Sequence, residues 1–122
     1  MVVALAVALA GGAGAVSRYL LDGAVQDRTS GLFPFGTLAV NVIGSFVIGV
    51  VAGIVLRHGG SVTLESVVGT GLCGGLTTWS TASWETVRLV EEGSLATAVR
   101  FTMANLALSL VAAGVGLVIV WF

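Results

Sequence analysis

Lysine is absent from this 122-residue chain, and charge of either sign is scarce: five arginines and six carboxylates make up 9% of the residues and leave a formal net charge of -1. A soluble domain carries roughly 25% charged residues. So little charge cannot clothe a water-exposed surface, and so small an imbalance excludes electrostatic capture of nucleic acid or of an acidic partner. Cys73 is the one cysteine, which excludes an internal disulfide and leaves no thiol pair for a metal, so it is expected to pack as a small apolar side chain. His58 is the one histidine and has no Cys, Ser or Asp at a recognisable catalytic spacing, so no enzyme is expected. What remains is apolar: 57% of the residues are hydrophobic, and the mean hydropathy is +1.08. That composition belongs to a membrane protein.

A helix needs about 20 apolar residues to cross the hydrocarbon core. Four segments reach that length: Val2 to Leu21, Leu32 to Leu56, Val62 to Arg88, and Leu95 to Phe122. The expected architecture is therefore all-α, one four-helix transmembrane domain over residues 1–122 with no soluble domain. Ala8-Leu9-Ala10 resembles a signal-peptidase site, but the basic stretch that precedes such sites is missing, so the first segment is expected to stay as a span. With four spans, both termini share one side. Arg18, Arg28, Arg88 and Arg100 flank the other side and only Arg57 flanks the terminal side, a bias that favours loops one and three in the cytoplasm.

Small and polar residues recur every fourth position. Ala10 and Gly14 fall on one face of the first span; Asn41, Ser45, Gly49 and Gly53 on one face of the second; Asn105, Ser109 and Ala113 on one face of the fourth. Such stripes let helix backbones approach closely in lipid. Asn41 and Asn105 ask for more, because a carboxamide at membrane depth needs hydrogen-bond partners or a wet cavity. One copy of four spans can hardly enclose two polar faces, so a dimer or larger assembly is expected.

The third segment contains GLCGGLTTWSTASWE, Gly71 to Glu85. Gly69, Gly71, Gly74 and Gly75 weaken a helix, and Thr77, Thr78, Ser80 and Thr81 can bond to freed backbone, which predicts a break near 74–78. Irregular backbone at that depth must be buried in protein or line a water-filled cavity. A break can expose carbonyls to a cation and a new helix N-terminus to an anion. A kinked helix whose hydroxyls bond to their own carbonyls is the alternative, and both stay open on the residues alone. Glu65 precedes the break, and Glu85 follows it by about two turns.

GGAGAVSRYL (Gly11 to Leu20), FGTLAVNVIGSFVIG (Phe35 to Gly49) and GLCGGLTTWSTASWE together resemble the signatures of the Fluc, or CrcB, fluoride channels, across the whole chain and in order. The resemblance implies an antiparallel, dual-topology dimer in the cytoplasmic (inner) membrane of a microbe, with narrow pores that export fluoride passively and relieve its toxicity. It also implies one structural sodium ion at the dimer centre, held by main-chain carbonyls of Gly74 and Thr77 from each subunit. Carried over position by position, Asn41 and Ser109 would face the ion pathway, Trp79, Ser80, Thr81, Ala82 and Glu85 would line or support it, and Arg18 would draw anions into the vestibule.

The chain departs from that family where the pore uses two phenylalanine ring edges in a TTFSTF pattern. Trp79 replaces the first ring, Ala82 removes the second, and Asn105 stands where tyrosine is usual. Some family members work as paired, non-identical subunits of fixed orientation, and the 4:1 arginine asymmetry agrees with such a role. The expected partner is thus a second copy of this chain or a paralogous four-span subunit. Two other functions compete: a small proton-coupled multidrug exporter, which needs a deep carboxylate that the first predicted span lacks, and a non-transporting membrane assembly subunit.

Overall fold

The first apolar run does not stop at Leu21. In the computed structural model, which describes Met1–Phe122, helix α1 covers Val2–Arg28 and takes Asp22 and Asp27 into the helix, where a polar loop was expected. Two features allow this. The Asp22 carboxylate lies against Gly36, where a Cβ would overlap it, and Arg28 Nη1 donates to the Ala24 carbonyl at 2.9 Å, placing positive charge on the final turn where the helix dipole favours it.

Helix α2 (Phe35–His58) ends at Gly59, whose φ of 67° is left-handed, the conformation that glycine adopts without a Cβ penalty. The next stretch, α3, spans residues 62–76. Ser61 Oγ accepts from Leu64 N–H at 3.1 Å to start it, Glu65–Cys73 wind as a π-helix, and Gly74–Leu76 return to α geometry. Thr77 and Thr78 are then extended, with ψ of 159° and 122°. Helix α4 (Trp79–Glu91) follows and closes on Gly93 (φ 79°), with Ser94 N–H donating to Leu89 C=O at 2.8 Å and Gly93 N–H to Val90 C=O at 3.0 Å. That pair of bonds is a Schellman cap. Helix α5 (Leu95–Trp121) completes the chain.

The protein is all-helical, without strands, and α1, α2 and α5 are each long and apolar enough to cross a membrane. At 1.5 Å per residue, even the 24-residue α2 reaches about 36 Å, against a hydrocarbon core of about 30 Å. Only 19 of the 122 residues are buried, and the exposed large side chains are overwhelmingly aliphatic or aromatic, as lipid or another subunit would require.

The glycines of the third segment do not form its break. Gly69, Gly71, Gly74 and Gly75 all stay helical, and the interruption falls on two β-branched threonines, whose side chains suit extended backbone. Gly71 and Gly75 serve packing instead: a Cβ on Gly75 would overlap the Gly11 carbonyl, and one on Gly14 would overlap the Leu72 carbonyl, so α1 and α3 touch backbone to backbone. The same holds between α2 and α5, where Gly49 lies on the Ala113 carbonyl and Gly116 on the Phe46 carbonyl. A small core of Ala82, Leu89, Ala98 and Phe101 ties α4 to α5, and Phe33 closes it with its ring edge-on to Phe101 at 5.7 Å.

Because Gly49 and Gly116 leave no room for a side chain, Gly49→Leu is expected to destabilise the fold by at least the 1–3 kcal/mol typical of overpacking. Gly23→Ala, where a Cβ meets nothing within 4 Å, should leave the melting temperature in detergent at or slightly above that of the unsubstituted protein.

Candidate functional site at the helix break

The break is held from α2. Asn41, 7% exposed, accepts from Thr78 N–H through Oδ1 at 2.7 Å and donates from Nδ2 to Thr78 C=O at 3.0 Å. A carboxamide has the donor and acceptor pattern of a peptide, so Asn41 pairs with Thr78 as a neighbouring strand would. Nδ2 makes a second bond, to Asn105 Oδ1 on α5, also at 3.0 Å. Thr78 itself starts α4: its Oγ1 accepts from Thr81 N–H at 3.1 Å, an N-cap, and lies 3.4 Å from Ser80 Oγ. On the other side, Thr77 N–H and Oγ1 both donate to Cys73 C=O at 2.9 Å, finishing α3. Gly44 on α2 makes space for Thr77, whose methyl group occupies the position of a Cβ there.

Those bonds leave two carbonyls without their ordinary helical donors. Thr78 N–H, which would close a helix onto Gly74 C=O, donates to Asn41; Thr81 N–H, which would reach Thr77 C=O, donates to Thr78 Oγ1. Arg18 Nη1 approaches the Thr77 carbonyl at 3.4 Å. Sodium, expected between the Gly74 and Thr77 carbonyls, is a hard cation that takes oxygen ligands; here the Thr77 carbonyl accepts from the Arg18 guanidinium, and the two carbonyls of one chain fall short of a full shell.

The expected pathway residues divide between several places. Asn41, Trp79 and Ser109 line an open-sided groove of about 250 Å³ between α2, the break and α5, together with Ser45, Thr77, Thr78 and Asn105. Ser109 Oγ is buried there with no protein partner. Trp79 is 80% exposed. It separates this groove from a second, of about 330 Å³, which Ala82 and Phe101 border. Ala82 itself is buried in the small core. Arg18 and Thr81 lie on the α1 side of the break, in a hollow of about 200 Å³ with Asp22 and Thr37. Glu85 sits beyond it; its Oε2 and the hydroxyl of Thr37 are buried without partners. Ser80 is exposed and touches Thr78. One chain thus gathers Asn41, Trp79 and Ser109, and keeps Arg18, Thr81 and Glu85 on the opposite side of the break.

Two residues outside the expected set prove central, Thr78 and Asn105. Thr78 carried a readable signal, since a threonine just before a helical run is a common N-cap. Asn105 was visible as a polar stripe member, but its bond to Asn41 spans 64 residues and has no local signature.

The chain matches a family model described as "CrcB-like protein, Camphor Resistance (CrcB)" over residues 5–117. It is 48% identical over 115 residues to "Fluoride-specific ion channel FluC 1" of Leifsonia xyli subsp. xyli, covering 94% of this chain and 84% of that protein. It is 46% identical to the protein of the same name from Streptomyces avermitilis, covering 89% and 86%. To "Fluoride-specific ion channel FluC" of Geobacter sulfurreducens it is 43% identical over 118 residues, covering 96% and 95%.

Removing the Asn41 carboxamide orphans the N–H and C=O of Thr78, and a buried unpaired group costs about 1–3 kcal/mol. Asn41→Leu should therefore lower the melting temperature in detergent sharply. Ser45→Ala, in the same groove but with no hydrogen bond to lose, should leave it within the ±0.5 kcal/mol or so of an ordinary surface change.

Proposed function

This chain belongs to the CrcB family, and on that premise we propose that it is a fluoride-specific ion channel that lets fluoride leave the cell passively down its gradient. It is a multi-pass integral protein of a microbial membrane and not an enzyme. The observation that carries the proposal is the capped break at Thr77–Thr78 beside a polar groove, in a chain whose exposed surface is rich in large apolar side chains. Irregular backbone of this kind is tolerated at membrane depth where protein buries it or where it lines a wet path, and the groove beside this break is polar. In this reading α3 and α4 together make a fourth, broken span.

Within the path, Trp79 offers the positive edge of its ring and an indole N–H to the anion, weak contacts that suit an ion which must be dehydrated and yet released. Asn41 and Ser109 continue the polar lining, Arg18 draws anions toward the break, and Ser80, Thr81 and Glu85 support the far side. A second subunit laid over the exposed Trp79 would close the open side of the groove, which is the place of an antiparallel dimer in this reading. Ala82 contributes no ring, so the second aromatic edge is to come from a non-identical, paralogous subunit of opposite orientation. Sodium, when bound, would supply fixed positive charge at the dimer centre, with Gly74 and Thr77 carbonyls of both subunits around it. Drug export and a purely structural role gain no support from the relatives' names.

Reconstituted in liposomes with a paralogous partner, the protein should release fluoride and retain chloride, and Trp79→Ala should slow release at least about tenfold, the loss of roughly 1.4 kcal/mol from the barrier. Absence of fluoride release under either condition would overturn the channel reading. Full-rate release from this chain alone, with both insertion orientations present, would overturn the heterodimer. Exchanging sodium for a large organic cation should lower the melting temperature of the assembled dimer; no change would remove sodium from the scheme.

A further inference from the structure

The hollow on the α1 side of the break is lined by one cation and one anion. Arg18 and Asp22 stand four residues apart on one face of α1, about 6 Å along its axis, and share the hollow with Thr37 and Thr81. Asp22 is the nearer to the C-terminal end of α1, so an anion entering from that end meets the carboxylate before the guanidinium. The two charges do not pair. Arg18 turns Nη1 to the Thr77 carbonyl at 3.4 Å, and the one ion pair of the chain lies elsewhere, between Arg88 and Glu92. Asp22 instead fills the space that a side chain on Gly36 would take, and the Gly36 N–H beside it donates to Gln26 Oε1 at 3.4 Å. A half-buried carboxylate is thus held at the mouth of the hollow without a cation of its own.

We infer that Asp22 is a built-in counter-charge, which offsets Arg18 and lowers the local concentration of fluoride at this mouth of the ion path. This inference rests on the channel reading. Low-dielectric protein walls focus the field of a charge, so one carboxylate in a hollow of about 200 Å³ repels an anion more than it would on an open surface. No second cation lines the hollow to restore the attraction. Glu85, beyond Thr37, adds another carboxyl group on the same side of the break. Asp22 therefore slows anion entry from this end, and the missing side chain of Gly36 is what lets α1 carry the charge there.

Asp22→Asn removes the charge and keeps the shape that packs on Gly36. In liposomes holding the assembled protein, at fluoride levels where release is proportional to concentration, it should speed release at least about threefold at about 10 mM ionic strength. In about 1 M of an impermeant salt, where the screening length falls from about 30 Å to about 3 Å, the two rates should converge. Asp22→Ser, also uncharged, should behave in the same way. Asp27→Asn removes an equal charge from an exposed position of α1 outside the hollow, and should stay within about twofold of the unsubstituted rate at both salt levels. No rise from either Asp22 variant at low salt would overturn the inference while leaving the channel intact. So would a rise of the same size at high salt, which marks altered packing on Gly36, or an equal rise from Asp27→Asn, which marks surface charge in general. If the unsubstituted protein releases no fluoride, the channel reading fails and takes this inference with it.

Discussion

The pairing of the Asn41 carboxamide with the Thr78 peptide is the constraint on which the rest of the site depends. A helix interrupted in a low-dielectric setting leaves polar backbone that must be satisfied. Asn41 satisfies one whole peptide group, N–H and C=O together, from a neighbouring helix. Once Thr78 is held extended, its hydroxyl is free to cap α4, the carbonyls of Gly74 and Thr77 lose their usual donors, and Asn105 is turned toward the groove. The polar groove beside the break follows from one buried hydrogen-bond pair.

That pair can exist only because the helices come close. Lipid supplies no hydrophobic force between spans, so association relies on backbone contact through small residues. Two tightly packed pairs result, α1 with α3 through Gly14, Gly71 and Gly75, and α2 with α5 through Gly49 and Gly116. The second pair brings Asn41 within 3.0 Å of Asn105; Gly44 lets Thr77 tuck against α2 and puts Thr78 within reach. The glycines thus act upstream of the chemistry: they set distances, and the carboxamides use them.

Some polar and aromatic groups of the chain have no partner within it. Trp79 is exposed beside a polar groove, Ser109 Oγ and Glu85 Oε2 lack partners, and Ala82 gives no aromatic edge where the resemblance implies one. Of these only Trp79 is exposed; Ser109 Oγ, Glu85 Oε2 and Ala82 are buried within the chain. At the ends of the bundle, Arg57 over Trp121 at 5.7 Å and Arg88 over Trp84 at 5.2 Å place cations and indoles together, as helices do at the headgroup level.

The amino-acid sequence by itself determined the membrane setting, the three long apolar helices, the stripes of small residues and the segment that breaks, because hydropathy, helical period and composition are local properties. Local logic also misled. Asp22 and Asp27 read as loop, yet α1 carries them, since Gly36 has no side chain to exclude the Asp22 carboxylate. The break expected near 74–78 falls on Thr77 and Thr78, inside those bounds, while the glycines counted toward it stay helical and pack. What only the tertiary structure decided was which polar groups are spent and which are free: Asn41 meets Thr78 across 37 residues and Asn105 across 64. Those pairings are fixed by which helices lie side by side, and no window of sequence holds both partners.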